Sequence, residues 1–193
     1  MTDIATISTT TDEPMLASVI TDARTRLRPV PVAALRGWRL LDVVWRGASH
    51  PARWFVAVAD DGRVVVLSGH PERWAQIDGT RVGSADEALE LATARADATR
   101  DMAKGWRLLT SADDLRLRPA TGADARQRVD EAKEQVRALV EPPRVSGEGP
   151  WQVRLWSVTD GDLVLHEVAV APDGAVTERT AVELAGLVDH RVA

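Results

Sequence analysis

The chain has 193 residues, a formal net charge of -5 and no cysteine. This length suffices for one ordinary domain or two small ones. The acidic balance predicts no nucleic-acid partner, because phosphate contacts need clustered Lys and Arg. The lack of cysteine excludes disulfides, thiolate nucleophiles and Cys-based metal sites.

Residues 1–12 are polar and rich in threonine, and we predict a disordered tail there. The segment has no basic start and no apolar core, so it does not read as a signal peptide. No run approaches the ~18 consecutive apolar residues that a membrane-spanning helix needs. These features predict a cytoplasmic protein without a membrane partner.

The first half, residues 13–83, begins with a predicted helix from Pro14 to Leu27. Apolar runs then predict three strands, and Asp60-Asp61-Gly62 predicts a hairpin with a type I′ turn between the last two. The third strand is apolar on both faces, so we expect it to be covered on both sides. The strands are Trp38–Trp45, Trp54–Ala59 and Val64–Leu67.

Residues 84–104 predict one long helix, with a capping box formed by Ser84 and Glu87. The second half, residues 105–193, predicts a short strand, an amphipathic helix and three further strands. The last of these strands carries polar residues, and we expect it to be half exposed. The elements are Trp106–Leu109, Ala123–Val140, Trp151–Val158, Asp162–Ala171 and Ala175–Leu184.

The two halves share an internal match. Residues 56–64 and 168–176 are identical at seven of nine positions, at an offset of 112. Trp38 and Trp45 also correspond to Trp151 and Trp156 near that offset. We favour a duplication, although two Val/Ala strands around an Asp-Gly turn can be alike without common origin.

The predicted fold class is α+β, with two related helix-plus-antiparallel-sheet halves joined by the long helix. In the order of its elements, each half is similar to cystatin-like and NTF2-like domains. The resemblance implies a half-barrel that wraps its helix. It brings no functional residues with it, because no family motif accompanies it.

The pattern His-Pro-X-Arg-Trp occurs on both sides of the first hairpin, and we expect the two copies to lie on opposite strands, close together at the open end of the hairpin. Such a patch suits an anion, with Arg for charge and His for proton transfer. The alternative is two strand ends on which Arg stacks against Trp. Two histidines without a third ligand predict no metal site. The residues concerned are His50, Arg53, Trp54, His70, Arg73 and Trp74.

His166 occupies the position of Trp54 in the internal match, on a strand face with valines. It is a candidate for lining a pocket as an acid or base, or for a buried histidine satisfied by a backbone carbonyl. The chain has seven Trp, one Phe and no Tyr. These indoles fill a core or form a binding surface, and Trp156 is a candidate for the second role.

No phosphate loop, GxGxxG, HExxH or nucleophile elbow is found. We therefore predict a non-catalytic binding or interaction protein, of accessory or immunity type, from a bacterium. Its partner is a protein or a small molecule, and no cofactor is expected. One alternative is a small-molecule enzyme with a Trp-lined pocket that uses His166, His50 or His70. Another is a homodimer formed through Val64–Leu67 or through the Ala-rich long helix.

Overall fold

The computed structural model describes residues 2–47, 51–117 and 121–187. It has an α+β architecture with two antiparallel sheets, one of four strands and one of five. The chain divides into two compact units, Met1–Met102 with Ala171–Ala175, and Ala103–Val170 with Val176–Ala193. In the described part, no helix is long and apolar enough to cross a bilayer.

The first unit contains the four-stranded sheet in the order β1-β2-β3-β4, with every neighbouring pair antiparallel. Two helices precede this sheet and a third follows it. Its elements are α1 (Thr2–Thr10), α2 (Pro14–Val19), β1 (Thr25–Val30), β2 (Trp38–Arg46), β3 (Pro51–Ala59), β4 (Val64–Val66), a 3-10 helix (Pro71–Gln76) and α3 (Ala85–Thr99).

The N-terminal helices supply part of the first unit's core. Alternate residues of β3, Trp54 and Val56, point to the face on which α1 and α2 lie. Ile7 of α1, Leu16 of α2 and Ile20, which directly follows α2, are fully buried against that face. The prediction of a disordered tail over residues 1–12 is wrong, because burial of α1 stabilises a segment whose own helical tendency is weak.

The predicted helix from Pro14 to Leu27 ends early, at Val19. The Thr25 hydroxyl donates to the Val19 carbonyl, and the chain continues as edge strand β1 beside β2. Pairing with β2 therefore outweighs the helical spacing of this segment.

The second unit contains the five-stranded sheet, in which β5, β7, β8 and β9 follow one another and β6 also pairs with β7. Val136 of α4 packs against Trp156 and Leu165 on one face of this sheet. Its elements are β5 (Trp106–Leu109), a 3-10 helix (Ala112–Asp114), α4 (Ala123–Leu139), β6 (Arg144–Ser146), β7 (Trp151–Thr159), β8 (Asp162–Val170) and β9 (Val176–Leu184).

The long helix is shorter than predicted and belongs to the first unit. The Ser84 cap is confirmed, because the Ser84 hydroxyl accepts from the Glu87 amide at 3.2 Å. The second bond of the predicted capping box differs, since the Glu87 carboxylate accepts from the Gly83 amide, at 2.6 Å, and not from that of Ser84. The helix ends at Thr99 and contacts β3. The structure thus assigns α3 to one unit, where the sequence predicted a connector between two.

The matched hairpins have the same backbone hydrogen bonds. The Ala59 amide donates to the Arg63 carbonyl and the Ala171 amide to the Ala175 carbonyl, both at 2.9 Å. Strand registers also agree, since Val58 pairs with Val64 as Val170 pairs with Val176. The type I′ prediction for the first hairpin is wrong, because Gly62 alone of its turn residues has positive φ. Such a glycine closes a three-residue turn with a bulge.

The helices of the two units do not correspond to each other under this match. In the first unit, α1 and α2 cover the sheet face that carries Trp54. In the second unit, α4 covers the face that carries Trp156, and His166, the counterpart of Trp54, lies on the opposite face. The structural likeness therefore extends over three strands and their turn, while the helices occupy non-equivalent faces.

Candidate functional site

Three equivalent positions of the shared three-stranded meander (β2–β4 and β7–β9), all buried or partly buried, differ sharply in chemistry between the units. In the first unit they are apolar and belong to one hydrophobic cluster. In the second unit they are polar and joined by hydrogen bonds. At the offset of 112, Trp45, Trp54 and Val66 correspond to Ser157, His166 and Glu178.

Ser157, His166 and Glu178 form a linear polar cluster. The His166 Nδ1 lies 2.7 Å from the Glu178 Oε1, and its Nε2 lies 2.8 Å from the Ser157 Oγ. A carboxylate only accepts, so Nδ1–H donates to Glu178; in the neutral ring, Nε2 then accepts from the Ser157 hydroxyl. Thr159 Oγ1 lies 3.2 Å from the Ser157 Oγ. Each buried polar group thus has a partner.

The connectivity of this cluster is that of a Ser-His-acid triad, in which the histidine removes the proton of the serine. The cluster differs from a catalytic triad in its burial. Ser157, in the middle of β7, has no exposed surface, and His166 pairs with Leu155 of the same strand. A nucleophilic serine has to meet its substrate, and here the hydroxyl is enclosed.

The His166 prediction is answered in two parts. The strand register confirms that it occupies the position of Trp54, and it is buried. The expected backbone-carbonyl partner is wrong, because Ser157 and Glu178 occupy both ring nitrogens. Sequence alone gave no sign of these partners, which are nine and twelve residues away on separate strands.

The two His-Pro-X-Arg-Trp copies adopt different structures. His50 lies outside the described residues. Arg53 lies on β3, whereas Arg73 lies on the 3-10 helix that follows His70. The prediction that both copies lie on strands is wrong for the second, since Pro71 fixes φ and lacks an amide hydrogen, which favours the first turn of a helix.

Arg53 and Arg73 bind different carboxylates. Arg53 donates to both oxygens of the largely buried Asp42, at 2.7 and 3.1 Å. Arg73 pairs with Asp12 at 3.0 Å and donates to the Val66 carbonyl. Each guanidinium is thus neutralised by its own partner, and these contacts leave no excess positive charge for an anion. The His70 Nδ1 lies 3.1 Å from a Glu72 carboxylate oxygen.

The Phe55 ring contacts two arginines, Arg53 on the same face of β3 and Arg100 at the end of α3. The guanidinium carbons of Arg53 and Arg100 lie 4.9 and 5.4 Å from the centre of its ring. Burial lowers the pKa of Arg100 to about 10, and the nearby charge of Arg53 adds to the effect. Asp97 forms an ion pair with Arg100. We interpret this group as a charge-balanced cluster around the buried Phe55 ring, in which the Arg53 side chain remains 40% exposed.

The three tryptophans considered for binding lie in the interior. Trp54 belongs to the first unit's apolar cluster and Trp156 to that of the second. Trp74 is buried on its 3-10 helix. In these positions they fill cores, and they offer little surface to a partner.

Strand β9 is the most accessible long strand edge of the described sheets. It has nine residues and pairs with β8 alone. Its five consecutive residues from Arg179 to Glu183 are exposed, and Val182 keeps 60% of its surface. The sequence-based expectation of a half-exposed strand is confirmed for Val176–Arg179, where partly buried and exposed residues alternate, whereas Arg179–Glu183 is exposed on both faces. By contrast, edge strand β1 contains Pro29, a residue that blunts strand pairing.

Val64–Leu67, a dimer interface considered from the sequence, is covered by other residues of the same chain. Val65, Val66 and Leu67 are buried, which confirms the prediction that this segment is covered on both sides. A second copy is therefore not needed to remove these side chains from water.

Comparison with known proteins gives no relative: no family model matches, and neither the curated proteins nor the solved structures searched contain a match. Within the described residues, no group of three His, Asp or Glu side chains is arranged to hold a metal ion.

Proposed function

We propose that this chain is a non-catalytic interaction protein, of accessory or immunity type, that binds a protein partner by adding a strand to the edge of β9. One observation carries the proposal: β9 is a nine-residue edge strand with five consecutive exposed residues. An edge strand offers unpaired backbone donors and acceptors, and an extended segment of another chain pairs with it as an additional strand.

The composition of β9 supports this proposal. The strand contains neither proline nor lysine, two of the residues with which edges are commonly protected. Val182 and Met15 are the large apolar side chains most exposed in the described part. Val182 lies on the strand itself, so an added strand would find both backbone hydrogen bonds and an apolar contact there.

The fold belongs to the same proposal. We propose that the two meanders arose by duplication, in two related halves that are cystatin-like or NTF2-like in outline. The shared register and turn support this. The first copy is now the more apolar one, and the second has the accessible last strand.

The experiment compares partner retention by the tagged chain in the cells that produce it. We expect wild type to retain a protein partner and Val182→Lys to lose it, because lysine on an edge strand opposes pairing. Arg126→Glu, at an exposed position of α4, is the matched control and should retain the partner. Both variants should unfold within ~0.5 kcal/mol of wild type, since both sites are exposed.

Retention of the same partner by Val182→Lys contradicts the proposal. A wild-type chain that retains no protein and stays monomeric when purified also contradicts it.

A second function is favoured by the Ser157–His166–Glu178 geometry. In this alternative, His166 acts as a general base on Ser157, and the chain is a hydrolase for small esters. It predicts labelling of Ser157 by a fluorophosphonate probe, abolished in Ser157→Ala and His166→Ala. The interaction proposal predicts no labelling, because the hydroxyl is enclosed. The alternative fails if the folded protein is unlabelled while a reference serine hydrolase reacts.

A further inference from the structure

Two opposite charges on β9 have no partner among the residues that the structure describes. Arg179 and Glu183 are exposed, and in the described ranges neither side chain forms an ion pair or hydrogen bond. Arg179 stands opposite Glu167 of β8, but Glu167 instead pairs with Arg154, at 3.7 Å. The edge therefore offers a cation and an anion, four residues apart, to whatever binds it.

We infer that the partner of β9 is a second copy of this chain, which pairs its own β9 antiparallel; this rests on the proposed function. In such a pair, a twofold axis sets one residue opposite its own copy, and its flanking residues face each other in reverse order. Centring on Ala181 places Arg179 opposite the Glu183 of the other copy, and symmetry makes that ion pair twice.

Other registers are poorer. Centring on Arg179 or on Glu183 sets two like charges face to face, which destabilises a strand pair. Centring on Thr180 or on Val182 leaves Arg179 opposite an alanine. Charge complementarity thus selects the register centred on Ala181, whose small side chain meets its own copy without crowding.

The end of β9 is compatible with this register. A bulge shifts the pairing where Val164 and Leu163 of β8 meet Val182 and Leu184, so Glu183 is the additional residue. The bulge disturbs backbone regularity at the last contact. The long side chains of Arg and Glu can still span that displacement, while residues before the bulge keep regular strand geometry.

The test is the mass of the purified full-length chain by analytical ultracentrifugation, from about 1 to 100 μM. We expect a concentration-dependent dimer. Arg179→Glu alone and Glu183→Arg alone should each weaken it roughly tenfold or more, because each replaces two ion pairs by two like-charge pairs. The double variant restores both pairs in reverse and should recover the dimer. Arg126→Glu on α4 is the control and should behave as wild type.

Each result bears separately on the inference and on the proposed function. A monomer over the whole range, or a dimer that the single reversals leave intact, overturns the second-copy inference. If Val182→Lys still abolishes retention of another protein, the edge-binding function stands with a different partner. If Val182→Lys changes neither the dimer nor partner retention, both proposals fall.

Discussion

The two meanders share their strand register and turn, but different kinds of side chain occupy their equivalent positions. Trp45, Trp54 and Val66 fill the first with apolar surface, which needs only close packing. At the equivalent positions, the second has a hydrogen-bonded cluster centred on His166. The comparison teaches that register fixes which positions are buried, while residue type decides whether packing or polar partners stabilise them.

The largest effect is expected in the apolar copy. Trp54→Ala removes a buried indole and should lower the free energy of unfolding by about 3–5 kcal/mol. Urea unfolding measures it. Met15→Ala, at an exposed site on α2, is the control and should change stability little. Equal costs for the two variants would show that Trp54 does not support the core.

The next effect tests the N-terminal helix that completes the same cluster. Ile7→Ala should cost about 2–5 kcal/mol, because Ile7 is fully buried. Thr9→Ala, whose side chain is exposed on the same helix, should cost far less. If both leave the urea midpoint unchanged, α1 is not part of the folded core.

A smaller effect is expected in the polar copy. His166→Ala leaves Ser157 and Glu178 without their common partner and should cost about 1–3 kcal/mol. A double-mutant cycle of His166→Ala with Ser157→Ala measures the coupling, which we expect to be about 0.5–3 kcal/mol. Additive costs would mean that the two side chains do not support each other in solution.

The smallest expected effect is the pH dependence of the free energy of unfolding that comes from Asp22, whose carboxylate lies beside the Trp45 indole. Hydrogen bonds from Arg24, and then from the Trp45 indole, hold the pKa of Asp22 well below its usual range. A lowered pKa stabilises the fold above the unfolded carboxyl's value of 3.8, and this stabilisation is lost as the pH falls through the lowered value. Urea unfolding of Asp22→Asn and wild type should therefore differ at pH 6, and the difference should shrink as the pH falls below 3.8. A difference of the same size at pH 6 and at pH 2 would contradict this assignment.

Much of the fold followed from the sequence because its strands and turns carry local signals. Apolar runs and Asp-Gly turns located β2, β3, β7, β8 and β9, and the Ser84 cap located α3. Misplaced segments were those whose structure depends on distant partners: α1 is helical where Ile7 is buried, and residues 25–30 form a strand because β2 pairs with them.

The candidate sites were less predictable for the same reason. His166 stood out by its alignment with Trp54, but its contacts with Ser157 and Glu178 depend on the pairing of three strands. Trp54, Trp74 and Trp156 stood out by residue type, and burial makes them core residues. The exposed run on β9 was partly visible in the polar composition of that strand, whereas its place at a sheet edge required the topology.

The central claim is that β9 is the binding edge, and amide hydrogen exchange tests it most directly. Exchange is followed by mass spectrometry in the isolated monomer and in the associated form, whether dimer or complex. We predict slower exchange for Val176–Leu184 on association, with Thr25–Val30 of edge strand β1 unchanged as an internal control. Equal exchange of the β9 segment in both forms would contradict the account, since a strand added at that edge must protect its amides.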